Sequence, residues 1–131
     1  MEQNAFLPQP TVLLYQIADP GRAARIRAWL DRTGIRAVEV APTELHHSLG
    51  ALLELPGFAR ESSLWMGEAL AQEMLVMFAF RGTMLSDFLR FFREEGLPPV
   101  ALKAMVTPTN VNWSSLELFE ALRQEHAQLN R

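Results

Sequence analysis

The sequence predicts an α/β domain, a three-layer sandwich with helices on both faces of a four-stranded, mainly parallel sheet. Apolar runs of strand length alternate with segments of helical period in the order β-α-β-α-β-α-β-α. The run 74–80 is apolar at every position, as a central strand covered on both faces must be. Each connection between strands is long enough to hold a helix, which favours parallel pairing with right-handed crossovers.

Taken in order, residues 11–17 form a β-branched and aromatic run that starts once Pro8 and Pro10 are passed, and residues 1–10 read as a loose tail. Asp19 offers an N-cap, Pro20 sits where a missing amide donor costs nothing, and Gly34 supplies a left-handed stop. Between them Ala23, Ile26 and Leu30 mark one face of a helix of about four turns. Residues 35–40 alternate apolar and polar, as an edge strand does, until Pro42. Leu45, Leu49, Leu52 and Leu53 predict a second helix over 43–55, closed by Pro56 and Gly57. Residues 58–72 are too apolar for a free linker and too irregular for a clear period, so they read as a packed loop with room for a short helix.

After the 74–80 strand, Thr83 or Ser86 caps a helix carrying the stripe Leu85, Phe88, Leu89 and Phe92, which Gly96 ends. Pro98 and Pro99 turn the chain into a strand over 100–106 that Lys103 interrupts. The final helix runs to about 129. Ser114 and Glu117 form a capping box at its start, and Trp113 and Leu118 are spaced as a hydrophobic staple. The expected strand order is 2-1-3-4, flavodoxin-like in outline, with the more polar second and fourth strands at the edges. A lysine on an edge strand also discourages edge-to-edge pairing.

The 131 residues are 49% hydrophobic and 21% charged, with a net charge of −3 and no cysteine. One ordinary domain is implied, without disulfides, thiolate metal sites or thiol nucleophiles. The mild acidity argues against nucleic acid as a partner, since phosphate binding needs an excess of Lys and Arg. The longest apolar run is far short of the ~20 residues of a spanning helix, and the opening Met-Glu-Gln-Asn lacks a basic leader, so the expected location is the cytoplasm, with no membrane partner. Of the 12 basic residues Lys103 is the sole lysine. A compact ammonium does not replace a guanidinium chemically, which draws attention to that position.

In an open parallel sheet ligands gather past the carboxyl ends of the strands, and segments 18–21, 41–44, 81–83 and 107–112 are expected to meet there. The last is the richest. Thr107, Thr109, Asn110, Asn112 and Trp113, with Lys103 behind them and Arg81 arriving from the neighbouring strand, form a candidate site for a small anion, a metabolite or a polar headgroup. Thr and Asn are also ordinary turn formers, so the same residues can simply fasten the last helix. His46 and His47 are adjacent and point about 100° apart on a helix, which does not suit one metal ion. His126 reads as a partly buried histidine rather than a base. Arg22, Arg25, Trp29 and Arg32 have the spacing of a partner-binding face, or of arginine stems laid over an indole. The methionines read as core filler. No Gly-x-Gly-x-x-Gly, Walker loop, Gly-x-Ser-x-Gly elbow or Cys-x-x-Cys is present, so no cofactor is called for.

The string 102–110 (Leu-Lys-Ala-Met-Val-Thr-Pro-Thr-Asn), with Trp113, Leu118, Leu122, Glu125 and His126, resembles the C-terminal signature of a bacterial family known as domain of unknown function 3783. Glu73, Met74 and the Phe88-Leu89 helix fit the same pattern, so the resemblance spans about 73–129. It implies no activity, but it groups Lys103, Thr107, Thr109, Asn110 and Trp113 as a unit. The expected function is a small binding or interaction module for an anion, a metabolite or a protein partner. One alternative is an enzyme using Lys103 as base or imine-forming residue; another is a structural, homo-oligomer-forming protein.

Overall fold

Strand β1 (Thr11–Tyr15) lies inside the sheet because both of its faces are apolar: Val12 and Leu14 point one way, Leu13 and Tyr15 the other, and all four are buried. The computed structural model describes residues 8–129. The expectation of a loose tail over 1–7 lies outside them, whereas 8–10 are tied down. The Arg36 amide donates to the Pro10 carbonyl at 2.9 Å, and Arg81 Nη1 donates to the Pro8 carbonyl at 3.2 Å.

After β1 come α1 (Pro20–Arg32), β2 (Arg36–Glu39), a 3₁₀ turn (Pro42–Glu44), α2 (Leu49–Leu52), β3 (Met74–Phe78), α3 (Met84–Glu94), β4 (Leu102–Met105), a second 3₁₀ turn (Asn110–Asn112) and α4 (Ser115–Leu129). Most local signals for helix ends act as expected, but Thr83 and Ser86 do not cap α3: the Thr83 hydroxyl donates to Asp87 and Ser86 Oγ to the Thr83 carbonyl. Asp19 Oδ1 accepts from the Gly21 amide, and the Ser114–Glu117 capping box closes with both reciprocal bonds, at 2.8 and 3.1 Å. Helix α1 stops before Gly34 and α3 before Gly96, each glycine at positive φ.

The sheet is four-stranded in the order β2-β1-β3-β4, the order expected, and is mostly parallel: β1 pairs parallel with β2, and β3 with β4. The central pair departs from the expectation. β1 and β3 run antiparallel, with Tyr15 opposite Met74 and Thr11 opposite Phe78. Gln16, just past β1 at φ 58°, uses both ends of its amide on the backbone of Leu70, with the Leu70 amide donating to Oε1 at 2.8 Å. Glu73 is held by Arg22 of α1 at 2.7 Å. Residues 70–73 are thus pinned beside the carboxyl end of β1, and β3 starts where β1 stops and runs back.

Two cores result. On one face Leu13, Tyr15, Met74, Val76 and Leu102 pack under Leu45, α2 and the first turns of α4; on the other Val12, Leu14, Leu75 and Met77 pack under Ile26 and Leu30 of α1 and Phe88, Phe91 and Phe92 of α3. Tyr15 reaches α4 through a 2.7 Å hydrogen bond to Ser115, both groups buried, and burial pushes its phenol well above the usual tyrosine range.

The helix expected over 43–55 is broken. Ser48 leaves it to bridge Ser114, and the Leu49 amide donates to the Trp113 carbonyl at 2.9 Å, so the helical part shrinks to α2. The stretch 58–72 has no helix and, against the expectation of a packed loop, is mostly exposed, Leu64 and Met66 included, with Leu70 its buried anchor. Trp65 donates its amide to the Thr43 carbonyl, Arg60 pairs with Glu44, and buried His47 accepts the Glu61 amide on Nδ1 at 3.2 Å.

Desolvation first, and the neighbouring His46 ring second, hold His47 below the ordinary histidine value of 6.5. Above pH 6.5 it is neutral in both folded and unfolded chains. As pH falls below 6.5 the unfolded chain takes up the proton first, and stability is lost until the lower folded-state value is passed. Urea midpoints at about pH 7.5 and about pH 5.5 should therefore drop more in the wild type than in His47→Asn, whose amide oxygen can still accept from Glu61. Equal drops would remove His47 as a source of acid sensitivity.

Candidate functional site

Lys103 pairs with Leu75 across β3–β4, which puts its side chain on the face covered by α1 and α3. It reaches back toward the amino end of β4, and Nζ donates to the Val100 carbonyl. Beside it opens a cavity of about 240 Å³, walled by Leu89 and Phe92 of α3, Leu97 and Val100 of the connection, and Arg93. Leu89, Phe92 and Arg93 share one side of α3 by their i, i+3, i+4 spacing, so the helix lines the cavity beside Lys103 with two apolar side chains and an arginine. The connection forming the remaining wall is held from behind. Buried Arg22 donates Nε to the Pro98 carbonyl at 2.9 Å and Nη1 to Glu73, and its Nη2 has no partner among the described residues.

Four of the described cations, Arg32, Arg81, Arg93 and Lys103, have no carboxylate partner, and two of them line this cavity. Arg25, Arg27, Arg36, Arg60, Arg90 and Arg123 each hold a carboxylate. Among the described residues neither Lys103 nor Arg93 does. Partial burial pushes the Lys103 ammonium below the usual lysine value, because no neighbouring anion offsets the lost hydration.

The turn after β4 is closed on itself. Asn110 is buried; its Oδ1 accepts the Thr107 amide at 2.8 Å, its Nδ2 donates to the Met105 carbonyl at 3.0 Å, and its own amide donates to Thr107 Oγ1 at 3.0 Å. Trp113 and Leu118 pack into the core on the face opposite Lys103, while Thr107, Thr109 and Asn112 are exposed. Arg81 is spent on the Pro8 and Ala79 carbonyls. Of the seven residues grouped from the sequence, the structure brings Thr107, Asn110 and Trp113 together around the start of α4 and places Lys103 at the other end of β4, on the other face.

The rim expected to gather four segments is split by the antiparallel β1–β3 pair. Segments 18–21 and 41–44 share the end of the sheet where β1 and β2 finish, and 81–83 and 107–112 share the opposite end. Past β1 and β2 lies a larger cleft of about 580 Å³, walled by Leu14, Ile17, Ala23 and Val40. Its polar side chains are already engaged: Arg27 pairs with Glu39, and Gln16 is spent on Leu70. The smaller cavity therefore has more unspent binding chemistry than the larger one.

The other sequence candidates resolve into packing. Trp29 stacks between Phe88 and Phe91 at 5.4 and 5.3 Å, closing the α1–α3 seam rather than facing a partner. The His46 and His47 rings lie tilted against one another, 4.2 Å apart, and fasten the 58–72 loop. His126 is exposed on the distal half of α4, not partly buried as expected, because that half of the helix extends past the sheet's cover. Arg93 was not anticipated. Its only signal was its place at the end of the Leu89–Phe92 stripe, where most arginines face water.

Fold and site together define a small α/β domain with a cationic, otherwise apolar cavity between its third helix and an edge strand. Residues 73–129 match the family model described as Domain of unknown function (DUF3783), a segment that runs from the start of β3 to the end of α4 and contains every residue of that cavity. No curated protein and no solved structure matches the chain.

The self-satisfied turn makes a stability prediction. Asn110→Ala removes both side-chain bonds and leaves the Thr107 amide and Met105 carbonyl without their partner, so urea unfolding should show a loss of about 1–3 kcal/mol. A change within about 0.5 kcal/mol would mean that the turn does not hold the entry to α4.

Proposed function

We propose that the domain is a binding module for a small organic anion, taken up at Lys103. One observation carries this reading: two cations without carboxylate partners among the described residues line the same, otherwise apolar cavity. Ligand sites combine apolar walls with a few placed polar groups, and a half-buried ammonium lacking a counter-ion gains most from an anion that supplies one. The Thr107–Trp113 part of the candidate site then serves to anchor α4. A cytoplasmic setting belongs to the same reading, supported by a chain with no cysteine to oxidise.

The test is thermal unfolding with a panel of small anions, in wild type and in Lys103→Met. Binding at a hundredfold excess over Kd should add about 2.7 kcal/mol to the wild type. Lys103→Met should fold as before and lose that gain. If no anion raises the wild-type Tm, or if both proteins respond alike, the reading fails.

The same cavity favours one second reading, an enzyme that uses Lys103 as the imine-forming residue. A lysine shifted down by burial is more often neutral, and the neutral amine is the nucleophile. It would attack an aldehyde carbon, form the C=N bond and release water. Reduction with borohydride in the presence of small aldehydes, followed by peptide mapping, should place an adduct on Lys103 rather than only on the terminal amine. No adduct on Lys103 removes this reading and leaves the binding module.

A further inference from the structure

We propose that the Lys103 cavity selects a monocarboxylate with a short apolar tail, the carboxylate lying between Lys103 Nζ and the Arg93 guanidinium and the tail against Leu89, Phe92, Leu97 and Val100. This rests on the anion-binding reading above and names the class of anion.

The wall combines two cationic side chains with otherwise apolar ones, and that argues for a ligand that joins an anionic head to an apolar tail. Donor counting sets the head group. Lys103 has three N–H donors and spends one on Val100, while Arg93 has five in a planar fork that matches a carboxylate. A carboxylate has two oxygens to satisfy, and this pair can satisfy both. A phosphate brings further charged oxygens, and the remaining wall side chains are apolar, so they would be desolvated without partners. No acidic side chain lines the cavity, so the ammonium of an amino acid would be buried unpaired. Glu94 and Glu95, next in sequence, are turned to Arg90 and Arg25.

The last turn of α3 works against an anion, because its carbonyls carry about half a unit of negative charge. Two full cations outweigh it. The volume sets the tail. At about 240 Å³ the cavity is below the about 300–1,000 Å³ of drug-sized sites, which suits an occupant smaller than a drug.

The chain's single lysine makes the test direct, since protein grown on ε-¹³C-lysine gives one side-chain signal. The labelled protein is titrated with hexanoate, hexanol, 6-aminohexanoate and inorganic phosphate, and Tm is followed in parallel. Hexanoate should move the Lys103 signal and raise Tm, while the other three at equal concentration do neither. Arg93→Gln, at an exposed position, should keep the fold and weaken hexanoate by about tenfold or more. Phosphate or the amino acid acting as well as hexanoate would overturn the tail-and-carboxylate assignment and leave the anion reading standing. Hexanol acting as well as hexanoate, or no probe acting at all, would overturn both. Unchanged hexanoate affinity in Arg93→Gln would overturn the two-cation clamp.

Discussion

The amide of Gln16, bonded to both backbone groups of Leu70, decides the direction of half the sheet. It ties the end of the long second connection to the end of β1, so that β3 enters beside Tyr15 and has only one way to run. The Arg22–Glu73 pair repeats the constraint from α1. Because β4 follows β3 in parallel, its amino end also lies at the edge where β1 finishes. Lys103, near that amino end, and the turn at 107–112, past the carboxyl end, are separated by the length of the strand.

That separation changes what each group is for. The threonines and asparagines of the turn have the composition of an anion site, yet the most buried of them has both ends of its amide bonded within the turn. Lys103 has one carbonyl and, among the described residues, no counter-ion, in a cavity that Arg93 also lines. Composition alone ranks the turn first. Burial and charge reverse the ranking, since Thr109 and Asn112 stand exposed to water whereas the half-buried Lys103 ammonium has no carboxylate partner among the described residues.

Local features were legible in the sequence because their chemistry is local. The Asp19 cap, the Ser114–Glu117 box and the unbroken apolar run of β3 all form between residues a few positions apart. Strand order followed from which runs were most apolar. Direction did not, because Gln16 reads as a polar residue at a strand end and its partner lies 54 positions away. The helix over 43–55 failed for a related reason: Ser48 is drawn out of it by Ser114, a contact that no spacing rule anticipates. Lys103 was conspicuous as a lone lysine, whereas Arg93 was one of 11 arginines, and only the packing of α3 on β4 shows that it shares the cavity.

The pairing of β1 with β3 is the claim on which the split rim and the position of the Lys103 cavity rest, and cross-strand nuclear Overhauser effects between α-protons measure it directly. In an antiparallel pair the α-carbons of alternate facing residues approach to about 4.5 Å. The structure requires strong Hα–Hα cross-peaks for one alternating set of facing pairs, either Val12 with Met77 and Leu14 with Leu75, or Thr11 with Phe78, Leu13 with Val76 and Tyr15 with Met74. A β1–β3 pair without any such cross-peaks, with Thr11 instead close to the start of β3, would show a fully parallel sheet and return the turn and the lysine to a common rim.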